Sequence, residues 1–320
     1  MAETSTVIRS GASASRRYAS AAILLFGALL SWLCYVHPGW LPFWAPWDFS
    51  WPEFLGTAFP LWWFLHGLAL TPPQARPAPV RCAAFLLGLA VIYAVLQTRF
   101  DYMAQHMFFL NRIQHVVMHH LGPILIALAA GGPTVKRGMP AVMRRFVESL
   151  TVRTVLGVLQ QPVIAVLLFV GLFYFWLIPA VHFRAMLDAR LYAVMNWSMV
   201  LDGVLFWVLV LDLRPKPPAR FSFGTRAAMA YATTFPEIII GTVITSVHHD
   251  LYPFYALCGR LFPSVSPIAD QQIGAIIIWV PPAMMSAAAT LIVLHAFVRH
   301  EEALAGADAS PASPPNLAEV

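Results

Sequence analysis

Charged side chains are scarce in this chain. They make up 11% of its 320 residues, whereas hydrophobic residues make up 59%. A soluble domain usually contains about 25% charged residues, so this composition excludes an ordinary soluble globular protein. The net charge of +5 comes mainly from basic connections between apolar segments. Such connections face anionic lipid and set orientation, so the charge does not indicate a nucleic-acid partner.

Long apolar stretches recur along the sequence, and a bilayer span requires about 20 mostly apolar residues. The sequence therefore predicts an all-α, polytopic membrane helix bundle with about eight transmembrane helices. The transmembrane helical domain is predicted at 19–299, between a tail at 1–18 and a disordered tail at 300–320. The predicted spans are 19–36, 54–70, 82–98, 113–130, 162–180, 192–213, 227–247 and 273–298.

The positions of lysine and arginine predict the orientation, because these residues accumulate in cytoplasmic connections. With the amino terminus inside, fifteen of the 20 fall in inside segments and five in outside segments. An even number of spans then predicts that both termini are cytoplasmic. Three cysteines, Cys34, Cys82 and Cys258, are too few and too scattered for a disulfide framework or a zinc site.

Histidine is unevenly distributed across this topology. Eight of the 11 histidines are predicted in outside loops or at the outer ends of spans. The densest stretch is 102–120, where His115 and His119 are spaced i, i+4 and are expected on one helix face. The outer set consists of His37, His106, His115, His119, His120, His182, His248 and His249.

Methionines accompany these histidines. Met118 lies between His115 and His119, and Met195 and Met199 form an i, i+4 pair in the outer half of the sixth span. Thioether and imidazole together suit Cu(I), whereas magnesium and calcium prefer oxygen. Each residue taken alone is more often packing or a hydrogen-bonded interfacial group, so the hypothesis depends on the stretch HVVMHH. The predicted metal ligands are His115, His119, His120, His248, His249, Met118, Met195 and Met199.

Two acidic residues are predicted near the middle of the membrane, Asp202 in the sixth span and Glu237 in the seventh. An intramembrane carboxylate is a candidate functional group by default. Since neither has an obvious basic partner at its depth, we favour hydrogen bonding between helices over proton or ion handling. At the start of the eighth span, helix capping accounts for Asp270, but it does not account for Gln271 and Gln272.

Four motifs resemble the CtaG family of multi-spanning cytochrome c oxidase assembly factors. HVVMH (115–119), followed by Gly-Pro, is similar to the family's HMxxH signature. DGVLFW (202–207) and DLYPFYA (250–256) resemble its xGLLFW and LYPxYA segments. DQQIGAIIIWVP (270–281) resembles DQQLxGLxMWVP and is the most specific of the four.

The chain also departs from the family pattern. A Trp-His pair that often precedes a proline is Trp176-Leu177 here, and an often-present Glu-His aligns with Met195-Asn196. The resemblance implies a multi-pass protein of the bacterial inner membrane that assembles a haem–copper oxidase. It implies oxidase subunits as partners and copper delivery as the role. Since such a role makes and breaks no chemical bond, the protein is not expected to be an enzyme.

Two alternatives from other classes remain open. A b-type membrane cytochrome would take one haem ligand from the fourth span and one from the seventh. A copper or small-molecule transporter would need polar residues through the full depth of the membrane, and only Asp202 and Glu237 were identified for that role.

Overall fold

The computed structural model describes residues 2–308, with side chains at residues 18–306. Within that range the chain is helical and contains no β-strand, which confirms the predicted fold class. The helices are α1 (Ala2–Val36), α2 (Trp51–Ala69), α3 (Pro79–Gln97), α4 (Arg99–Ala104), α5 (Phe108–Val116), α6 (Gly122–Leu128), α7 (Gly132–Gly138), α8 (Ala141–Glu148), α9 (Leu150–Leu159), α10 (Pro162–Leu177), α11 (Pro179–Leu187), α12 (Ala189–Val210), α13 (Phe223–Ser246), α14 (Phe254–Leu257) and α15 (Pro267–Asp308).

Helices occupy all eight predicted spans, but they are not all regular. Five of them, in α1, α3, α12, α13 and α15, are long and apolar enough to cross a membrane. Two more spans arise if bent pairs are counted, with α7 turned 82° from α5–α6 and α10 turned 75° from α9. The helix α2 has 19 residues but includes Glu53, Pro60 and His66, and it is not among these. The chain is a polytopic helical membrane protein.

The connections separate into two groups at opposite ends of the bundle. Three of the predicted inside connections meet where Arg81, Pro133 and Arg214 line one cavity; we call this the basic end. At the other end, here called the outer end, Arg99 donates to the Leu41 carbonyl at 3.3 Å. This separation agrees with spans that alternate in direction, while the orientation itself stays a prediction.

The fourth predicted span is a helix interrupted by a π-turn at Val117–Leu121. The Gly122 amide donates to the Val117 carbonyl, five residues back instead of four. The next residue, Pro123, has no amide proton, so the His119 carbonyl loses its usual donor four residues ahead. Short π-turns of this kind occur frequently at functional sites.

Helices extend into both predicted tails. The helix α1 begins at Ala2, and α15 continues to Asp308, beyond the boundary predicted at 300. Residues 309–320 of the predicted disordered tail lie outside the described part of the chain. Between spans, α8 exposes the apolar Val142 and Phe146 beside Arg144 and Arg145, a pattern typical of a helix lying on a membrane surface.

Candidate functional site

Two adjacent histidines of the π-turn each meet a carboxylate from a different helix. His119 Nε2 lies 3.1 Å from Asp202 Oδ2 of α12, and His120 Nε2 lies 3.0 Å from Glu237 Oε1 of α13. The most exposed of the four side chains is Asp202, at 15%. Both intramembrane acids therefore have a polar partner at their own depth, which the sequence analysis did not find.

The two imidazoles lie deeper in the bundle than the sequence predicted. Their helix begins at Phe108, so His119 follows about three turns of helix and does not lie at the outer end of the span. The His119 ring stacks on Phe169 of α10 at a centroid distance of 4.0 Å and meets the His120 ring edge to face at 5.1 Å. Aromatic packing and the carboxylates together fix the orientation of both rings.

The π-turn and α12 are in very close contact. A Cβ atom on Gly203 would lie 2.5 Å from the His119 carbonyl oxygen, so only glycine fits at this position. One turn further along α12, Trp207 Nε1 donates to the same carbonyl at 3.1 Å. The indole thus replaces the amide donor that Pro123 lacks. In the motif DGVLFW, Asp202 contacts the His119 side chain and Trp207 donates to the His119 carbonyl. Gly203 allows the two backbones to approach this closely.

His115 lies one turn earlier on α5 and is fully buried. Neither of its ring nitrogens has a hydrogen-bond partner among the described residues. Met118, Met195 and Met199 are each 0% exposed and belong to one hydrophobic core. The structure therefore buries the predicted thioethers in one core and leaves the His115 imidazole with both nitrogens unpaired.

The other predicted ligands lie elsewhere. His248 and His249 are exposed in the connection after α13, apart from the buried histidines. Within the described residues, no group of three or more His, Cys, Asp or Glu side chains is placed to hold a metal ion. A site built on the buried histidines would therefore need thioether sulfur as well.

The DQQ motif caps a helix, as predicted for Asp270, but the capped helix is a different one. Asp270 does not cap its own helix; its two oxygens accept from the Phe108 and Phe109 amides at 3.0 and 2.8 Å, which caps α5. Gln271 accepts from the Leu251 amide at 2.8 Å and donates to carbonyls of residues 247 and 249. Gln272 is half-buried. Asp270 and Gln271 thus anchor the start of the histidine-bearing helix and the connection after α13.

A layer of buried polar residues between the outer end and His115 was missed by the sequence analysis. Asp101 Oδ1 accepts from Tyr192 and from Gln114, both at 2.7 Å. Burial raises the pKa of Asp101 to about 6, although these hydrogen bonds act in the opposite direction. Arg112 is 1% exposed and lies 4.9 Å over the Phe108 ring. The sequence did contain a sign of this layer, because three polar residues precede His115 around the start of a predicted membrane helix: Asn111, Arg112 and Gln114.

The motif DLYPFYA closes this end of the bundle. Tyr255 is in hydrogen-bond contact with His182 Nε2 at 2.9 Å, and the Tyr252 hydroxyl donates to the Leu177 carbonyl at 2.9 Å. The Tyr252 ring stacks on Phe108 at 4.1 Å. Burial lowers the pKa of His182 well below its ordinary value, so this imidazole is neutral. His182 serves as a hydrogen-bonded core residue here.

Whether this site can bind a metal depends on which ring nitrogens already form hydrogen bonds. Nε2 of His119 and of His120 faces a carboxylate, and Nδ1 of each has no hydrogen-bond partner in the described part of the chain. A neutral imidazole that donates from Nε2 keeps a lone pair on Nδ1. That arrangement matches metal-binding histidines, which usually donate their second ring N–H to a carboxylate.

Comparison with known proteins gives one family. The family model described as cytochrome c oxidase caa3 assembly factor matches residues 54–300. No curated protein and no solved structure matches the chain. The match covers all four motifs described above.

Proposed function

This chain belongs to the cytochrome c oxidase caa3 assembly factor family, and on that premise we propose that it binds Cu(I) within the bundle and assists copper insertion into the oxidase. It acts in the bacterial inner membrane, receives copper from the periplasmic side and contacts oxidase subunits. Copper is the cargo, and no covalent bond is made or broken, so the protein is not an enzyme.

The observation that carries the proposal is the pair of histidine–carboxylate contacts at the π-turn. Asp202 and Glu237 each hold one nitrogen of an imidazole, and the second nitrogen has no hydrogen-bond partner among the described residues. Leaving a buried polar atom unpaired is costly, by about 1–3 kcal/mol. Copper ligation by one of these nitrogens would remove that cost for the imidazole that carries it.

Ligand chemistry favours Cu(I) over other ions. Since the described residues offer no group of three His, Cys, Asp or Glu side chains for a metal, a zinc site of the usual kind lacks ligands. Met118, Met195 and Met199 are buried in the core beside the π-turn. Imidazole combined with thioether is a ligand set suited to Cu(I). We assign His248 and His249, exposed at the outer end, to the initial capture of copper.

Titration of the purified protein with Cu(I) against a competing chelator tests the proposal. His115→Ala/His119→Ala should abolish high-affinity binding, and Met195→Leu/Met199→Leu should weaken it at nearly unchanged side-chain volume. Met284→Leu is the matched control, because Met284 is 68% exposed on α15. Loss of oxidase maturation in cells should follow the loss of copper binding.

Two results would contradict the proposed copper site. One is unchanged copper stoichiometry in the histidine double variant, provided that its thermal unfolding shows a folded protein. The other is a Soret band in the visible spectrum of the purified protein, which would indicate haem. Because Cu(I) is colourless, the spectrum of the loaded wild-type protein is expected to show no such band.

Copper transport is a second candidate, favoured by buried polar groups at successive depths. Thr233 and Ser286 are both 0% exposed and lie 3.3 Å apart. Thr233 lies one helical turn from Glu237 on α13, toward the basic end. Thr233 and Ser286 extend the polar series that runs from Gln114 through His119 and His120. Copper uptake into proteoliposomes that contain the wild-type protein would favour transport; binding without uptake would favour delivery.

A further inference from the structure

Two neighbouring cavities open at the basic end and share part of their walls. One has a volume of about 470 Å³ and lies between the connection from α2 to α3, the start of α3, and α7. The other has a volume of about 690 Å³ and runs between α2, α3, α6 and α12. Arg81, Ala130 and Pro133 line both. The two cavities therefore form one continuous feature with a polar part and an apolar part.

The smaller cavity is strongly basic. Arg76, Arg81 and Arg137 line it, and its lining includes no carboxylate. Arg76 and Arg137 are oriented by Thr71, to whose carbonyl and hydroxyl they donate at 3.1 and 2.7 Å. The Arg81 guanidinium has no hydrogen-bond or ion-pair partner among residues 18–306, whose side chains the structure describes. Three positive charges thus surround this cavity, and no acidic side chain in its lining neutralises them.

The larger cavity is mainly apolar and follows α12 for several turns. Trp197, Val200, Val204 and Val208 of that helix line it, and Ile126 of α6 lies across from them. At the basic end its charged lining residues are Arg81, Asp212 and Arg214. Asp212 and Arg214 neutralise each other through two contacts of 2.7 Å. Arg81 is therefore the unpaired charge where the groove meets the basic pocket.

The walls of the two parts favour a lipid over a transmembrane helix. A transmembrane helix is mostly apolar and would leave the three arginines of the smaller cavity without a counter-charge. An acyl chain needs only the apolar walls of the larger cavity. Phosphate suits the other half of the feature, because arginine forms paired hydrogen bonds with phosphate oxygens.

We propose that the basic pocket and the adjoining groove bind one anionic phospholipid. Its phosphate lies among Arg76, Arg81 and Arg137, and an acyl chain lies along α12. Basic pockets between transmembrane helices at the cytoplasmic face are a known setting for anionic lipid headgroups. This inference does not depend on copper binding, since none of the proposed copper ligands lines either cavity.

Native mass spectrometry of the full-length protein in detergent tests the site. With added phosphatidylglycerol, the wild-type protein should retain one tightly held lipid and should retain phosphatidylethanolamine much less. Arg81→Gln should lower retention about fivefold, as expected for one basic residue near a lipid phosphate, and Arg81→Lys should restore part of it. Val208→Trp, which fills the groove at a residue that is 45% exposed, should lower retention without a change in charge.

Arg144→Gln is the matched control, because Arg144 belongs to the same group of basic connections but lines neither cavity. An equal loss in this variant would assign the effect to general surface charge and overturn the proposal. Equal retention of phosphatidylglycerol and phosphatidylethanolamine would also overturn it. If inorganic phosphate displaces the lipid at comparable concentration, the pocket is a soluble-anion site. Stabilisation by phosphatidylglycerol in a thermal unfolding assay, lost in Arg81→Gln, would support the lipid site independently.

Discussion

At the scale of single residues, the histidine–carboxylate pairs decide how Asp202 and Glu237 are interpreted. Their depth in the membrane marked them as costly in the sequence, and hydrogen bonding between helices was the favoured role. The structure shows such hydrogen bonds, and the partners are His119 and His120. A carboxylate that holds one imidazole nitrogen also fixes which nitrogen is left for a ligand. Linking two helices and positioning a ligand are therefore compatible roles.

Replacing Asp202 with asparagine tests the positioning role. Asp202→Asn keeps the size of the side chain and removes its charge, so the folded protein should persist while Cu(I) affinity falls about 10- to 100-fold. Glu237→Gln should act in the same direction. Competition with a Cu(I) chelator measures both. Asp212→Asn is the control, because Asp212 pairs with Arg214 at the basic end. If Asp202→Asn and Asp212→Asn bind copper equally well, Asp202 does not position a ligand.

At the scale of helices, the fourth span shows what periodicity predicts and what it misses. Apolar content predicted a helix at 113–130, and a helix is present. The i, i+4 spacing predicted that His115 and His119 share a face, a prediction that assumes a regular α-helix between them. The π-turn at Val117–Leu121 changes the angle between successive residues, so the adjacent His119 and His120 reach α12 and α13. Pro123 was the visible sign of irregularity in the sequence.

Gly203→Ala tests the close contact between this turn and α12. The new Cβ would overlap the His119 backbone, so the helices must separate, at a cost of about 1–3 kcal/mol in the free energy of unfolding. Gly171→Ala on α10 is the matched control, since nothing lies within 4 Å of a Cβ there. That variant should be neutral or more stable by up to about 1 kcal/mol. Unfolding in mixed detergent micelles gives both values, and equal stability of the two variants would contradict the contact.

At the scale of the whole molecule, the charge distribution and the structure agree on which connections lie together. Arg81, Pro133 and Arg214 come from separate connections and line one cavity. At the outer end, Asp270 accepts from the Phe108 amide at 3.0 Å, across 162 residues of sequence. The arrangement follows from alternating spans. Its direction relative to the cytoplasm comes from the lysine and arginine bias alone.

Cysteine labelling measures that direction. Cys258 is exposed in the connection between α14 and α15. In a Cys34→Ser/Cys82→Ser variant, a membrane-impermeant maleimide should label Cys258 in intact spheroplasts. A cysteine introduced as Arg144→Cys on α8, in the same background with Cys258→Ser, should react only after permeabilisation. The reverse pattern would place the basic end outside and rule out copper entry from the periplasm at the outer end.

Local properties of the sequence determined the helices, their approximate bounds, the separation of the basic connections, and the family through four motifs. The stretch at 115–120 was identified as the candidate site because histidine and methionine are concentrated there. Hydropathy and helical spacing depend only on residues that are close together in the sequence, so both can be obtained from the sequence without a structure. The same reasoning predicted a regular helix through the π-turn, since spacing alone does not encode where a hydrogen bond shifts by one residue.

Only the tertiary structure decided which side chains meet. The contacts from His119 to Asp202 and from His120 to Glu237 join residues 83 and 117 positions apart. They depend on the depth at which α12 and α13 pack against the π-turn, and close approach at Gly203 sets that depth for α12. Asp270 capping α5 is likewise a contact between helices. Such contacts arise from packing in three dimensions, which a pattern along one helix does not specify.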